Sequence, residues 1–187
     1  MTTKRVEFFF DVVSPYSYIA AVQVARSPLL ANAEWRPFFL GGVFKATGNQ
    51  APMHVPAKAQ YMVKDLARLF AYYDARFQFP AVFPTNSITA MRALTAAPAD
   101  QVKDLALKLF DAYWGLGRNI GDAAVLAELL PAELLAAAAD EAVKEKLKTN
   151  TDAAVSRGAF GAPSLFVDDE LYFGEDRVFL IEHALKK

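Results

Sequence analysis

The chain begins with an apolar run and then changes to helical spacing. Val6–Phe10 is largely aromatic and β-branched, which is typical of a buried strand. The run stops at Asp11, and Ser14 followed by Pro15 supplies the N-cap and first residue of a helix. A second strand is predicted over 34–39. Strand, helix and strand with a short return predict a βαβ unit, in which the two strands are parallel.

The middle of the chain combines a long loop with a helical block. Gly, Pro and Asn are frequent from Gly41 to Pro56, and a loop of this length indicates a functional role. Beyond it, apolar residues recur at three- and four-residue steps, which predicts four amphipathic helices and a wholly helical region over 58–139. The second of these helices starts at Thr85 or Asn86, and Asp122 caps the fourth.

The last third of the chain returns to strands. A helix is predicted over 140–157, with Gly158 as its stop signal. Ser164–Val167 and Glu170–Phe173 flank a two-residue turn, a pattern that predicts an antiparallel hairpin. A final helix follows from Val178.

This order of elements predicts an α/β fold. A βαβ unit followed by ββα is the skeleton of the thioredoxin fold. We therefore predict a thioredoxin-like βαβ…αββα domain formed by residues 1–57 and 140–187. A large all-helical insertion, residues 58–139, would interrupt it.

Composition narrows the possible functions. The 187 residues are 54% hydrophobic and 22% charged, as in ordinary globular proteins. Lys plus Arg number 20 and Asp plus Glu 21, a balance that argues against nucleic-acid binding. The absence of cysteine excludes disulfides, thiolate metal ligands and a cysteine nucleophile. His54 and His183 lie far apart in the sequence, so no metal site is expected.

The sequence also bears on location. The N-terminus has no secretory signal pattern, because the apolar run that follows it soon meets Asp11. No segment approaches the ~18 consecutive apolar residues that span a bilayer. We expect a cytoplasmic protein that does not contact membranes.

A proline stands directly before the third predicted strand. This is the most characteristic mark of the thioredoxin skeleton, and Pro163 occupies the place. With a cis bond, Ala162 would expose its N–H and C=O groups to the backbone of an extended peptide. A trans proline in a loop is the plainer interpretation. From its position in the skeleton we predict a cis Ala162–Pro163 bond facing Ser14.

The start of the first helix is where thioredoxin-like redox enzymes carry Cys-x-x-Cys. Here the four residues are Ser-Pro-Tyr-Ser, starting at Ser14, so disulfide exchange is impossible. The N–H groups and dipole of a helix N-terminus nevertheless suit an anion. The Ser14 hydroxyl could donate a hydrogen bond to a thiolate brought by another molecule. Its simpler role is that of an N-cap, and one hydroxyl can serve both roles in different states.

Three motifs carry a resemblance to a known family. They are residues 10–18 (FDVVSPYSY), 158–163 (GAFGAP) and 173–177 (FGEDR). In these the chain resembles the 2-hydroxychromene-2-carboxylate isomerase and kappa-class glutathione transferase family. That family has a thioredoxin-like domain with a helical insertion of the disulfide-oxidoreductase A type. The resemblance continues in order through residues 39–44, 48–49, 56–58 and 61–66.

The resemblance implies that glutathione is the bound thiol. Ser14 would correspond to the family's serine that hydrogen-bonds the glutathione sulfur. Ala162, before Pro163, would pair its backbone with the cysteinyl part of the tripeptide. Asn49 and Lys58 match positions that reach the glycyl end. A solvated lysine at a helix start fits Lys58 equally well, although the helix dipole disfavours a cation there.

Two acidic residues match the family's γ-glutamyl site. Asp176 would hold the ammonium group of the tripeptide. Glu175 departs from the family, which more often has a neutral polar residue there, although its backbone N–H could still serve. Both acids could instead simply complement the dipole of the last helix, worth ~0.3–1 kcal/mol.

The resemblance implies a glutathione-dependent enzyme with a small aromatic electrophile as its second ligand. The leading hypothesis is an isomerase of aromatic catabolism, converting 2-hydroxychromene-2-carboxylate to trans-o-hydroxybenzylidenepyruvate by reversible thiolate addition. A kappa-class-like glutathione transferase is the alternative. A redox-inactive thioredoxin-like module that binds peptides is a third hypothesis. A homodimer is expected from the resemblance alone.

Overall fold

A four-stranded mixed sheet forms the centre of the molecule. The computed structural model describes residues 4–187, so the first three residues of the predicted segment 1–57 lie outside the described range. The strands are β1 (Val6–Phe10), β2 (Glu34–Pro37), β3 (Ser164–Val167) and β4 (Glu170–Phe173). Their order is β2-β1-β3-β4, with β1 parallel to β2 and the other pairs antiparallel. The predicted βαβ unit and hairpin are confirmed.

The central strand β1 is buried on both faces, as its continuous apolar sequence predicts. Phe8 and Phe10 point into the main hydrophobic core, which they share with the helical block. Phe9 points to the other side, where a smaller core forms around Phe38 and Phe166. The buried strand thus fixes the position of the turn that begins after Phe10.

Nine helices surround the sheet within the described residues. They are α1 (Pro15–Arg26), α2 (Leu40–Thr47), α3 (Pro56–Tyr72), α4 (Ile88–Ala96), α5 (Ala99–Phe110), α6 (Ala123–Leu129), α7 (Ala132–Ala137), α8 (Glu141–Ser156) and α9 (Val178–Leu185). Ser14 and Asp122 cap α1 and α6 with their side chains, as predicted. Strand β2 ends at Pro37, two residues earlier than predicted, because the chain turns into α2 at Phe39. No helix in this part of the chain is long and apolar enough to cross a membrane.

The predicted loop from Gly41 to Pro56 is wrong in its first half, which forms α2. Gly41 and Gly42 lower the helix propensity of this segment, and no neighbouring side chain caps it. Asp11, the residue directly after β1, supplies the missing cap. The Leu40 N–H donates to the Asp11 carboxylate at 2.9 Å, across 29 residues of sequence. The pattern of neighbouring residues cannot reveal this interaction, because its two partners lie far apart in the sequence.

The helical block is also less continuous than predicted. Residues 73–87 are not helical, and α4 begins at Ile88 instead of Thr85 or Asn86. The Thr85 hydroxyl donates to the Asn119 side chain at 2.6 Å, while the Asn86 side chain accepts from the Ile88 N–H at 3.1 Å. Both side chains therefore shape the segment that leads into α4, and neither lies inside the helix.

The helical block covers the carboxyl end of β1. Phe110 of α5 packs on Phe10 and lies parallel to the Tyr18 ring, with ring centroids 5.7 and 5.4 Å away. The Trp114 indole donates to the Val12 carbonyl at 3.0 Å. Contacts from the block therefore reach the backbone between β1 and α1.

Candidate active site

The turn between β1 and α1 presents Ser14. Its backbone N–H donates to the Asp11 carbonyl at 3.0 Å, which closes the turn. The Ser14 hydroxyl oxygen accepts a hydrogen bond from the Ser17 N–H at 3.1 Å. The hydroxyl O–H donates to the Ala162 carbonyl, also at 3.1 Å. The Ala162–Pro163 bond is cis and lies against Ser14, as predicted. A hydrogen-bond donor thus stands at the N-terminus of α1.

A single cavity of about 1090 Å³ extends from this point. It is lined by every residue that the sequence assigned to a site: Ser14, Asn49, Lys58, Ala162, Pro163, Glu175 and Asp176. These residues come from five separate stretches of the chain. The volume is in the range of pockets that enclose small organic ligands.

One part of the cavity is acidic. Glu175 and Asp176 lie on a 3₁₀ turn between β4 and α9, and Asp65 of α3 lines the same cavity. Burial raises the pKa of the Glu175 carboxyl to about 7, and the charges of Asp176 and Asp65 add to the effect. Arg177 pairs with Asp176 at 2.5 Å. This part of the cavity suits an ammonium group.

Gly174 makes the acidic turn possible. Its φ of +101° is unfavourable for other residues, and a Cβ there would lie 2.7 Å from an Asp176 carboxylate oxygen. The Gly174 N–H donates to the Pro163 carbonyl at 3.1 Å. The acidic turn and the cis-proline segment are therefore joined directly.

Another part of the cavity carries a positive charge. Lys58 lies in the first turn of α3 and forms no ion pair with a described residue. The Asn49 amide donates to the Phe160 carbonyl at 2.8 Å, so this side chain fastens the end of α2 to the segment before Ala162. Lys58 suits a carboxylate, whereas Asn49 already has a structural partner.

Sequence reasoning missed several lining residues. Asp11 lies directly behind the cavity wall with none of its surface exposed, and burial raises the pKa of its carboxyl to about 6. A carboxylate placed directly after a buried strand was the available signal. Asp65 had no comparable signal in the sequence, because it lies within an amphipathic helix pattern.

The remaining wall is largely apolar. It is formed by Leu40 and Phe44 of α2, Met53 and Met62, and residues 83–87 before α4. The two prolines near this last segment marked a break in the helical pattern but gave no sign of a ligand. Within residues 4–187, no group of three or more His, Cys, Asp or Glu residues is arranged to hold a metal ion.

The sheet order, the insertion and the site at the start of α1 define a thioredoxin-like protein. The DSBA-like thioredoxin domain family matches residues 5–186. Glutathione s-transferase kappa 2 of Caenorhabditis elegans is 34% identical, over 94% of this chain and 88% of the relative. The 2-hydroxychromene-2-carboxylate isomerase of Sphingobium xenophagum is 32% identical, over 98% of both chains.

A solved structure agrees with these relatives. A 2-hydroxychromene-2-carboxylate isomerase superposes with a TM-score of 0.85 at 27% identity, covering 97% of this chain and 94% of that chain. The chain belongs to the DsbA-like thioredoxin domain family, in the group of the kappa-class glutathione transferases and 2-hydroxychromene-2-carboxylate isomerases. The family resemblance and the fold inferred from the sequence are confirmed.

Proposed function

We propose that this protein is an enzyme that uses glutathione as a nucleophile. The observation that carries the proposal is one cavity with an acidic part, a free lysine and the Ser14 hydroxyl. A tripeptide with an ammonium at one end, a carboxylate at the other and a thiol between them matches this set of groups. The kappa-class relatives support the same ligand.

In this proposal each part of glutathione has a partner. The γ-glutamyl ammonium lies against Asp176 and Glu175, and the glycyl carboxylate against Lys58. Asn49 supports that end by fixing the neighbouring loop. The cysteinyl backbone pairs with Ala162 beside Pro163.

Ser14 stabilises the thiolate. Its hydroxyl hydrogen, which points to the Ala162 carbonyl in this structure, turns to the sulfur, and the dipole of α1 favours the negative charge. A thiol pKa lowered from ~8.5 to ~6.5 would raise the thiolate fraction at pH 7 from about 3% to about 75%. This is roughly 25-fold, or about 2 kcal/mol, so positioning must supply the rest of the catalysis.

The reaction proposed first is the isomerisation of 2-hydroxychromene-2-carboxylate to trans-o-hydroxybenzylidenepyruvate, a step in the breakdown of aromatic compounds. The cyclic hemiketal first opens: its ring C–O bond breaks, the proton of the 2-hydroxyl group passes to the phenolic oxygen, and a ketone conjugated to the double bond forms. The thiolate then adds to the far carbon of that double bond, and the electron pair moves onto the ketone oxygen as an enolate. The former double bond is now single and rotates. Elimination reforms the double bond and returns the thiolate unchanged. The apolar wall suits the aromatic ring, and the isomerase relative supports this choice.

The second candidate is a kappa-class-like transferase, which keeps glutathione attached to its electrophile. The identity to kappa-class relatives favours it. The two reactions share the addition step and differ in whether the adduct eliminates. In either case we propose a cytoplasmic homodimer without nucleic-acid or membrane partners, and sedimentation velocity tests the dimer.

Calorimetry with glutathione and S-methylglutathione tests the proposal, followed by product analysis with the chromene carboxylate. We expect binding of both ligands, and a Lys58→Gln variant that binds glutathione about tenfold more weakly, a change of 1.4 kcal/mol. Lys64→Gln is the matched control, because Lys64 is exposed on the same helix outside the cavity. No binding at millimolar glutathione would overturn the enzyme and favour a peptide-binding module.

A further inference from the structure

The polar groups of the turn after β1 are held largely by other parts of the chain. The Val12 N–H donates to the Met91 sulfur at 3.5 Å, and the Val12 carbonyl accepts from Trp114 at 3.0 Å. Met91 lies in α4, and Trp114 lies just beyond α5. Hydrogen bonds from the helical block therefore hold both backbone polar groups of Val12, two residues before Ser14.

The Asp11 carboxylate lies at the centre of these contacts. One oxygen accepts from the Val13 N–H within the turn at 3.1 Å, and the other accepts from the Leu40 N–H at the start of α2 at 2.9 Å. Ser87, next to α4, lies beside the same carboxylate and lowers its pKa. One side chain thus joins the Ser14 turn to the start of α2, which forms part of the cavity wall.

We propose that Asp11 is a positioning residue, which holds Ser14 at its place beside Ala162 by tying the turn to α2. The inference rests on the proposed function, because it concerns the alignment of the thiolate donor. Asp11 has no exposed surface, so it acts through Ser14 and does not touch the ligand. The enzyme therefore depends on the ionised carboxylate, whose two oxygens each accept one backbone hydrogen bond.

This arrangement predicts a pH dependence. The groups that face Asp11 from its own turn, from α2 and from Ser87 are neutral, and the titratable group that its charge affects is Tyr113. Burial raises the pKa of the Asp11 carboxyl to about 6. Below that pH one oxygen carries a proton and one donor loses its acceptor. Activity should therefore decline on the acid side, with a midpoint near pH 6.

The Asp11→Asn variant tests the proposal. Its amide nitrogen would face an N–H donor at every pH, so the turn is misaligned throughout the pH range. We expect turnover to fall roughly 10–100-fold, since a misplacement of about 1 Å can cost 10²-fold. The bound thiol should show a higher pKa by ultraviolet titration, and the acid limb near pH 6 should disappear.

Glu7→Gln is the matched control. Glu7 is a second buried carboxylate on β1, but its partners are Arg36 and Arg157 instead of the turn. This variant should lose stability and keep both the thiol pKa and the acid limb. An Asp11→Asn protein that behaves in the same way would overturn the proposal.

Two further measurements keep the test decisive. If Asp11→Asn does not fold, Ser87→Ala removes a neighbouring hydroxyl that lowers the pKa of the Asp11 carboxyl, so the midpoint should move to higher pH. An unchanged midpoint contradicts the proposal. In the protein without glutathione, the Trp114 indole N–H resonance should titrate near pH 6, and a flat response would also count against it. If wild type binds no glutathione but Trp114 titrates, the proposed function fails while the coupling by Asp11 stands.

Discussion

Ser14 uses one hydroxyl for two purposes. Its oxygen caps α1 by accepting from the Ser17 N–H, and its hydrogen, donated to the Ala162 carbonyl in this structure, would turn to the sulfur of glutathione in the proposed mechanism. Capping stabilises the fold, whereas donation to sulfur stabilises a thiolate. The two contributions are therefore separable by measurement.

Ser14→Ala should lower turnover far more than stability. Losing one preorganised donor to a developing anion costs ~10²–10³ in rate, or about 2.7–4 kcal/mol. Losing an N-cap costs only ~0.5–2 kcal/mol of unfolding free energy. Ultraviolet titration of bound glutathione should show a raised thiol pKa, and thermal unfolding a modest loss.

The matched control is Asp122→Ala, which removes the cap of α6 outside the cavity. It should lower the melting temperature and leave the thiol pKa unchanged. If Ser14→Ala gives the same result as this control, Ser14 is only a cap.

At the residue scale, the sequence predicted those site residues whose signals are local. Ser14 before Pro15 and the proline before β3 are recognisable without a structure, and the structure brings both to one cavity. Asp11 was not recognisable as an organiser. Its partners at Leu40 and Ser87 lie far along the chain, so its surroundings exist only after folding.

At the element scale, the short turn between β4 and α9 determines the charge of the acidic part of the cavity. Glu175 in this turn is partly protonated near neutral pH, because burial raises its pKa to about 7. An ammonium group bound beside it would favour the ionised form and lower that pKa. Ligand binding should therefore release protons from the turn, and affinity should rise as the pH increases through 7.

S-methylglutathione isolates this effect, because it has no ionisable thiol. Calorimetry at pH 7 in buffers of different ionisation enthalpy should show release of up to about half a proton per ligand bound. Glu175→Gln should abolish the release, and Glu170→Gln on exposed β4 should not change it. Equal proton release by the wild type and both variants would show that a group other than Glu175 titrates.

Local signals also explain which elements were predicted correctly. The hairpin of β3 and β4 has its turn residues in the sequence, and Asp168 adopts the positive φ of 52° that such a turn requires. Helix α2 was missed because its N-terminal partner, Asp11, belongs to a different element. The start of α4 was placed too early, since Thr85 bonds to Asn119 instead of capping the helix.

At the scale of the whole molecule, the helical block and the thioredoxin-like region share one hydrophobic core. Phe10 and Tyr18 belong to the thioredoxin-like region and pack against Phe110 of the block. Trp114 is fully buried in the same core. Neither region can separate without exposing aromatic surface of the other.

Unfolding should therefore be a single cooperative transition. The near-ultraviolet signal of the buried aromatic residues and the far-ultraviolet helix signal should change at the same denaturant concentration. Phe110→Ala should lower the unfolding free energy by about 3–5 kcal/mol and leave the two signals coincident. Two separate transitions would show that the insertion is an independent folding unit.

The position of the apolar wall has an evolutionary consequence. Residues 83–87 form the last part of the connector between α3 and α4, and Ser87 at their end lies beside the Asp11 carboxylate. Phe83 and Pro84 also line the cavity, and the Phe83 ring packs against Trp114 with the ring centroids 5.3 Å apart. Under the proposed function, inherited changes at Pro84 would alter which electrophile fits, whereas changes at Phe83 would also reach Trp114, which holds the Val12 carbonyl. Descendants of one ancestral gene could diversify their substrates through the end of the connector that leads into α4.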